Sequence, residues 1–365
     1  MKMILLNPGP VTLSPRVRES MLGPDLCHRE PEFAVLQDKI RRQLLEIHSL
    51  DAAQWAAILL TGSGTAAVEA MVSSLVPSDG RLLVIENGVY GERISNIARR
   101  HGIATERVEH PWLTDLDLPR IEAALRASGP FSHVAVVHHE TTSGRLNDLQ
   151  ELATLCASHG AALLLDAVSS FGAEAIDFTG WPLAAMAATA NKCLHGVPGT
   201  AFVIARRDAL AVAGETGRTV YLDLQAYLRN QDQQGTPFTQ SVQTFYALSA
   251  ALDELAEEGG WEARRERYRN RMTKVRRHLL NLGISPLLAD GESSCVLNAF
   301  HLPSGLGYAA LHDQLKARGF IIYAGQSSLA QQIFRISTMG DLSEADITRL
   351  CIAFDEILGS GRSRP

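Results

Sequence analysis

The sequence predicts an α/β fold with a mostly parallel sheet in a large domain and a small α+β domain at the C-terminal end. Two observations carry this. Short apolar runs alternate with helical patterns through the first half of the chain, the order in which crossover helices join parallel strands. Near residue 294, after a long charged helical stretch, a new set of strands and helices begins. The N-terminal arm and large domain are expected over residues 1–255 and the small domain over 256–365.

Taken in order, an apolar run over 56–60 predicts a strand, Thr61-Gly62-Ser63-Gly64-Thr65 a turn, and residues 66–72 the start of a helix. The pattern repeats: strand at 82–85, helix at 90–99, strand at 134–137, helix at 149–158, strand at 162–165 ending in Asp166. A further apolar run, Ala187-Ala188-Thr189-Ala190, ends in Asn191-Lys192. Residues 252–280 read as one long charged helix bridging the domains, with Arg264-Arg265-Glu266-Arg267 as a solvated face. Beyond it, 295–300 and 333–337 read as strands and 308–317 and 344–357 as helices. Residues 359–365 read as a frayed tail.

Composition limits the function classes. The chain has 365 residues, 46% hydrophobic and 20% charged, which describes a globular protein able to bury a large core. A formal net charge of -6 and the absence of long basic runs argue against nucleic acid as a partner. No stretch approaches the roughly 18 apolar residues of a membrane span, and the first apolar run is too short for a signal sequence core, so a cytoplasmic protein without a membrane partner is expected. The five cysteines lack CxxC spacing, which predicts neither a disulfide framework nor a zinc site.

The chemistry is concentrated at strand ends. Asp166 and Lys192 each close a buried apolar run, and a carboxylate and an amine so placed are what a pyridoxal phosphate site requires. The amine binds the cofactor covalently, and the carboxylate keeps the pyridine nitrogen protonated. The Gly62-to-Thr65 turn adds backbone N–H groups at a helix start with the hydroxyls of Ser63 and Thr65, a cup suited to a phosphate ester. The same turn fits G-x-G-x-x-A, and Glu86 stands where a ribose-binding acid would, so a nicotinamide-dependent oxidoreductase is the alternative. The tandem His138-His139 lacks accompanying ligand spacing, so no metal is expected. Arg335, inside the apolar run Ile333-Phe334-Arg335-Ile336, should face an anion, because an unpaired buried guanidinium is costly.

Several segments then resemble, in order, the class V aminotransferases of fold type I: Asn7-Pro8-Gly9-Pro10, Gly62 to Thr65, Asn87 to Arg93, His139 to Gly144, Asp166 to Gly172 and Ala190 to Cys193. The resemblance spans nearly the whole chain. Within the class, the runs Ser169-Ser170-Phe171-Gly172, Ala190-Asn191-Lys192-Cys193 and Gly196-Val197-Pro198-Gly199 are similar to the group that moves the amino group of 2-aminoethylphosphonate to pyruvate, giving phosphonoacetaldehyde and alanine. Alanine/serine:glyoxylate aminotransferases are the alternative.

The resemblance implies that Lys192 carries pyridoxal 5′-phosphate and later moves the proton, with Asp166 on the pyridine nitrogen. It implies that Tyr90 stacks on the ring and that the Thr141 hydroxyl, with Thr142 as the alternate, meets the ring oxygen. Asn191 joins the cofactor residues. Ser63, Gly64 and Thr65 would hold the phosphate, completed by Thr239 of a partner subunit, which implies a homodimer with shared active sites. Arg335 would clamp the phosphonate of one substrate and the carboxylate of the other. The segment around Pro8 and Gly9 would close over the substrate, and Arg29 would add positive charge near the mouth. After Thr239 the chain lacks the Ser-Pro-Thr-His run expected of the group, which leaves room for a related aminophosphonate or ω-amino acid as donor.

Overall fold

The computed structural model describes residues 3–359; residues 1–2 and 360–365 lie outside it, and with them most of the tail expected to fray. The strands in chain order are β1 (Ile4–Leu5), β2 (Trp55–Gly62), β3 (Arg81–Glu86), β4 (Ala104–Glu109), β5 (His133–Val137), β6 (His139–Glu140), β7 (Arg145–Leu146), β8 (Ala162–Asp166), β9 (Leu183–Thr189), β10 (Gly199–Arg206), β11 (Leu297–His301), β12 (Phe320–Ile321), β13 (Tyr323–Ala324) and β14 (Ile333–Ser337). The helices that border the site and join the two parts are α1 (Val89–Arg100), α2 (Val242–Glu257) and α3 (Gly260–Asn281), together with the one that opens at Gly64 and runs to Leu75.

A seven-stranded sheet in the order β2-β10-β9-β8-β5-β3-β4 organises the larger part. β10 runs antiparallel to both its neighbours, and the other adjacent pairs are parallel. All strands except β10 therefore point the same way, and their carboxyl ends share one edge of the sheet. Ligands of such sheets bind at that edge. Apart from the edge strand β4, whose residues are mostly polar and exposed, the strands are largely apolar runs because both faces are covered. Along β2, Trp55, Ala57 and Leu59 enter one core and Ala56, Ile58 and Leu60 the other, the period of two that a pleated strand imposes.

The C-terminal part packs the antiparallel order β11-β14-β13 against helices, with Phe300, Phe334 and Phe354 in its core. The start of the chain belongs to this core as well: β1 pairs in parallel with β12, and Ile4 and Leu6 are buried there. Residues 7–12 must then cross from the small core toward the edge of the large sheet.

Two expectations need correction. The single helix expected over 252–280 is two helices, because Gly259 and Gly260 both take left-handed backbone angles, φ +96° and +84°, and turn the chain between α2 and α3. The basic cluster is a solvated face only in part: Glu266 is exposed and Arg265 and Arg267 half-buried, but Arg264 is fully buried, its guanidinium donating to Glu258 Oε2 at 2.6 Å and to the Cys193 carbonyl at 2.8 Å. Among the described residues, no helix is long and apolar enough to cross a membrane.

Candidate active site

The phosphate cup forms where β2 ends. Ser63 is extended, at φ -88° and ψ 169°, and its hydroxyl makes no capping bond to the helix that follows, which leaves the first helical N–H groups without a side-chain cap. Gly64 is held between two elements: a β-carbon there would stand 2.8 Å from Val168 Cγ1 and 3.4 Å from Thr189 Cγ2. The cup is thereby packed against the turn after β8 and the end of β9.

Asp166 is the last residue of β8 and is buried; its Oδ1 accepts the Val168 N–H at 3.0 Å. Burial pushes its carboxyl up to about 6, against the pull of the Arg93 and Lys192 charges. Lys192 lies in the turn after β9, three residues past the strand end rather than at it. The turn is tied down by Ala190 N–H to the Thr200 carbonyl at 3.0 Å, by Gly196 N–H to the Ala190 carbonyl at 2.8 Å, and by the Arg264 bond to Cys193. The Lys192 Nζ donates to the Pro8 carbonyl, and burial lowers its amine to about 8. An amine near neutrality and a carboxylate that ionises below it make an acid-base pair usable at physiological pH.

The N-terminal segment is strapped over this lysine from both sides. Ser337 N–H donates to the Leu6 carbonyl at 2.7 Å and Asp341 N–H to the Thr12 carbonyl at 2.8 Å, while Asn7 Nδ2 donates to the Pro10 carbonyl at 3.0 Å. Gly9, at φ +119°, lies directly on the lysine side chain.

Tyr90 lies at the start of α1, beyond β3, and Thr141 directly after β6, beyond β5, and Glu140 ties the two segments together. This buried carboxylate accepts the Tyr90 N–H at 3.1 Å, the Thr142 N–H at 3.1 Å and the Thr142 hydroxyl at 2.6 Å. Burial pushes it up to about 7. Any side chain at Gly88 would collide with it. Since the Thr142 hydroxyl hydrogen is committed to Glu140, Thr141 is the threonine whose hydroxyl can serve a ligand.

Arg93 is a residue that the sequence reading missed. It lies one helical turn after Tyr90 on α1, its guanidinium 4.6 Å from the Tyr90 ring centroid and its Nη1 donating to Thr65 Oγ1 at 3.1 Å. It brings a cation to the cup. The signal was available: i and i+3 on a helix share a face, and Tyr90 had already been singled out.

Arg335, at the centre of β14, reaches across from the small core. Its Nε donates to the Ala324 carbonyl at 2.9 Å, and Nη1 donates to the Thr141 carbonyl at 2.8 Å and to Gln326 Oε1 at 3.2 Å. Nη2 is buried without a partner. A charged donor left open in this way is a cradle for an anion.

Other sequence-derived residues fall outside this cluster. Asn191 Oδ1 accepts the Thr189 hydroxyl at 2.9 Å, which braces the lysine turn. Thr239 is exposed on a loop that Gln240 anchors to β2, its Oε1 accepting the Thr61 hydroxyl at 2.9 Å, and Arg29 is exposed. Glu86 is engaged by the Ser95 hydroxyl and lies 3.7 Å from Arg107, so it is not free for a ribose. His138 and His139 are neutral supports, each within 3.0–3.1 Å of Ser170 Oγ and the Ser169 carbonyl respectively, with burial lowering both to about 4. Cys193 is buried and pushed up to about 12, unsuited to nucleophilic attack.

The residues fit pyridoxal phosphate on the structure's own terms. An uncapped helix start with an added arginine suits a dianionic ester, a buried carboxylate with one oxygen already fixed suits a protonated ring nitrogen, and a desolvated amine suits covalent capture.

Comparison with known proteins agrees. The family model described as Aminotransferase class-V matches residues 27–350. The chain is 38% identical over 360 residues to a protein of Klebsiella pneumoniae subsp. pneumoniae named 2-aminoethylphosphonate–pyruvate transaminase, covering 97% of each chain. It is 39% identical over 357 residues to a protein of the same name from Aeromonas hydrophila subsp. hydrophila, covering 96% of this chain and 93% of that one. Its structure is similar to the crystal structure of an aspartate aminotransferase of subgroup IV from Thermus thermophilus, with a TM-score of 0.89, 28% identity, and coverage of 98% of this chain and 99% of that one.

Proposed function

This chain belongs to the class V aminotransferases, whose pattern spans residues 27–350, and from that premise we propose that it moves the amino group of 2-aminoethylphosphonate, or a close aminophosphonate, to pyruvate. The products are phosphonoacetaldehyde and alanine. The observation that carries this reading is Arg335, a buried guanidinium whose Nη2 lacks a partner and which therefore selects anionic substrates. The names of the relatives supply which anions these are.

Pyridoxal phosphate, when bound, supplies an electron-withdrawing ring that accepts the electron pair left as the amine-bearing carbon loses its proton. The residues do the rest. Ser63, Gly64 and Thr65 would hold the phosphate, with Arg93 balancing its charge. Asp166, ionised above about 6, keeps the pyridine nitrogen protonated inside a low-dielectric pocket. Tyr90 would lie against the ring, and the Thr141 hydroxyl would be available to the ring oxygen. Lys192 would hold the cofactor covalently, and its Nζ, when free, would be the base that moves the proton of the substrate carbon, a role suited to an amine whose pKa burial has brought to about 8. Asn191 keeps the lysine turn in place through Thr189. Pro8 and Gly9 exclude water above it. Arg335 grips the phosphonate in one half-reaction and the pyruvate carboxylate in the other.

The assembly this reading calls for is a homodimer in which Thr239 of one protomer completes the phosphate site of its partner. Support comes from the exposure of Thr239 and of Val220, 80% exposed, whose chain neighbours Gln240 and Tyr221 both bond to Thr61 near the end of β2. A cytoplasmic location is supported by five free thiols.

The test is alanine formation from 2-aminoethylphosphonate and pyruvate. The wild type should produce it and Lys192→Ala should not; full activity in the lysine variant would refute the assignment. Turnover of alanine or serine with glyoxylate, but not of the phosphonate, would move the protein to the alternative group.

A further inference from the structure

Arg335 has five N–H donors, and the structure accounts for each. The Nε hydrogen goes to the Ala324 carbonyl and one Nη1 hydrogen to the Thr141 carbonyl, both fixed main-chain acceptors. The second Nη1 hydrogen goes to Gln326 Oε1 at 3.2 Å, and the two on Nη2 are buried and unpartnered. The amide orientation follows from chemistry, since a guanidinium only donates and so must meet the oxygen. Gln326 is the one side chain among these acceptors and it is half-buried. Its backbone is tied down, the Gln326 carbonyl accepting the Leu329 N–H at 2.9 Å and the Gly325 N–H donating to the Ile333 carbonyl at 3.2 Å, which leaves the side-chain amide as the acceptor free to rotate away.

An end-on grip on an anion uses one hydrogen from each terminal nitrogen, so it requires Gln326 to let go of Nη1. The two substrates then differ. A planar carboxylate offers two oxygens, and the two nitrogens satisfy both. A tetrahedral phosphonate has a third oxygen, and a rotated Gln326 can donate to it through Nε2. Gln326 thus costs both anions its release but repays only the phosphonate.

We propose that Gln326 is a specificity-determining residue that favours a phosphonate over a carboxylate at Arg335. The proposal rests on the reading of Arg335 as the substrate clamp, and its test does not depend on which amine is the natural donor. The holoenzyme is followed through the L-alanine half-reaction by the loss of its visible cofactor absorbance, with methylphosphonate or acetate as competing anion, in wild type and Gln326→Leu. The inhibition constant of methylphosphonate should rise about tenfold in the variant, the scale of one lost charge-assisted or paired donor, while that of acetate stays level or falls. Gln326→Met, which keeps the length without the amide, should give the same split and stands in if the leucine variant does not fold. Constants that move together, constants that do not move, or a wild type that methylphosphonate does not inhibit would each overturn the proposal. A wild type that reacts with alanine and not with 2-aminoethylphosphonate would refute the assigned donor and leave the split to be judged on its own.

Discussion

Gly9 lies against Lys192 so closely that a β-carbon on the glycine would stand 2.8 Å from the lysine Cδ. The segment that starts the chain, anchored in the small core through β1, therefore bears directly on the amine that ends a strand turn of the large one.

Gly9→Ala tests that contact. The positive φ of +119° makes alanine strained by an order of 1–3 kcal/mol, and the added methyl must displace Lys192. Turnover should fall by about 100-fold, the scale of an ångström-level misplacement, with the cofactor still bound. Steady-state kinetics beside the holoenzyme spectrum checks this.

The Lys192 amine sets a pH dependence. It must be neutral to capture pyridoxal phosphate, and burial holds it at about 8 rather than the ordinary lysine value. Capture by the cofactor-free protein should quicken by about tenfold per unit below pH 8 and level off above it. Stopped-flow absorbance measures the rate; a rate independent of pH through this range would contradict the placement of the amine.

Asp166 offers a split between activity and stability. Its folded carboxyl, at about 6, lies above its unfolded value, so the native state binds the proton more tightly and the carboxylate costs stability as pH rises from the unfolded value to about 6, fully so above. Asp166→Asn should therefore leave the cofactor-free protein as stable or more stable at pH 8, while turnover falls about 100-fold or more, roughly 2.7 kcal/mol of barrier. Thermal denaturation and kinetics on the same sample decide it.

Arg264 carries a structural prediction. Removing it in Arg264→Met leaves the Cys193 carbonyl buried without its donor and Glu258 with Arg267 as its remaining cation, so stability should drop by about 3 kcal/mol, read from the denaturation midpoint. Cofactor retention should weaken with it, since the same guanidinium holds the turn that presents Lys192.

Much of this site could be read in the chain itself. Asp166, Lys192 and the Gly62-to-Thr65 turn follow from strand ends, because parallel strands deliver their carboxyl ends to one edge wherever the sheet is ordered. The antiparallel β10 between β2 and β9 could not be read that way, since its apolar run resembles its neighbours'. Arg264 and Gln326 were invisible for another reason. Hydrophobic periodicity tells which face of a helix or strand is apolar, and a buried arginine that caps a distant turn looks like any charged residue on the polar face. Glu140 was passed over because its partners, Tyr90 and Thr142, come together only once β3 and β5 are neighbours. Pairing of β1 with β12 joins residues at opposite ends of the chain, which no local pattern encodes.

The most direct measurement is the absorbance of the purified holoenzyme before and after 2-aminoethylphosphonate is added with no keto acid present. The account predicts that the visible cofactor band bleaches on addition and returns when pyruvate follows, and that Lys192→Ala does neither at the wild-type rate. A band that persists in the presence of 2-aminoethylphosphonate, while the enzyme still reacts with another amine, would contradict the assigned donor.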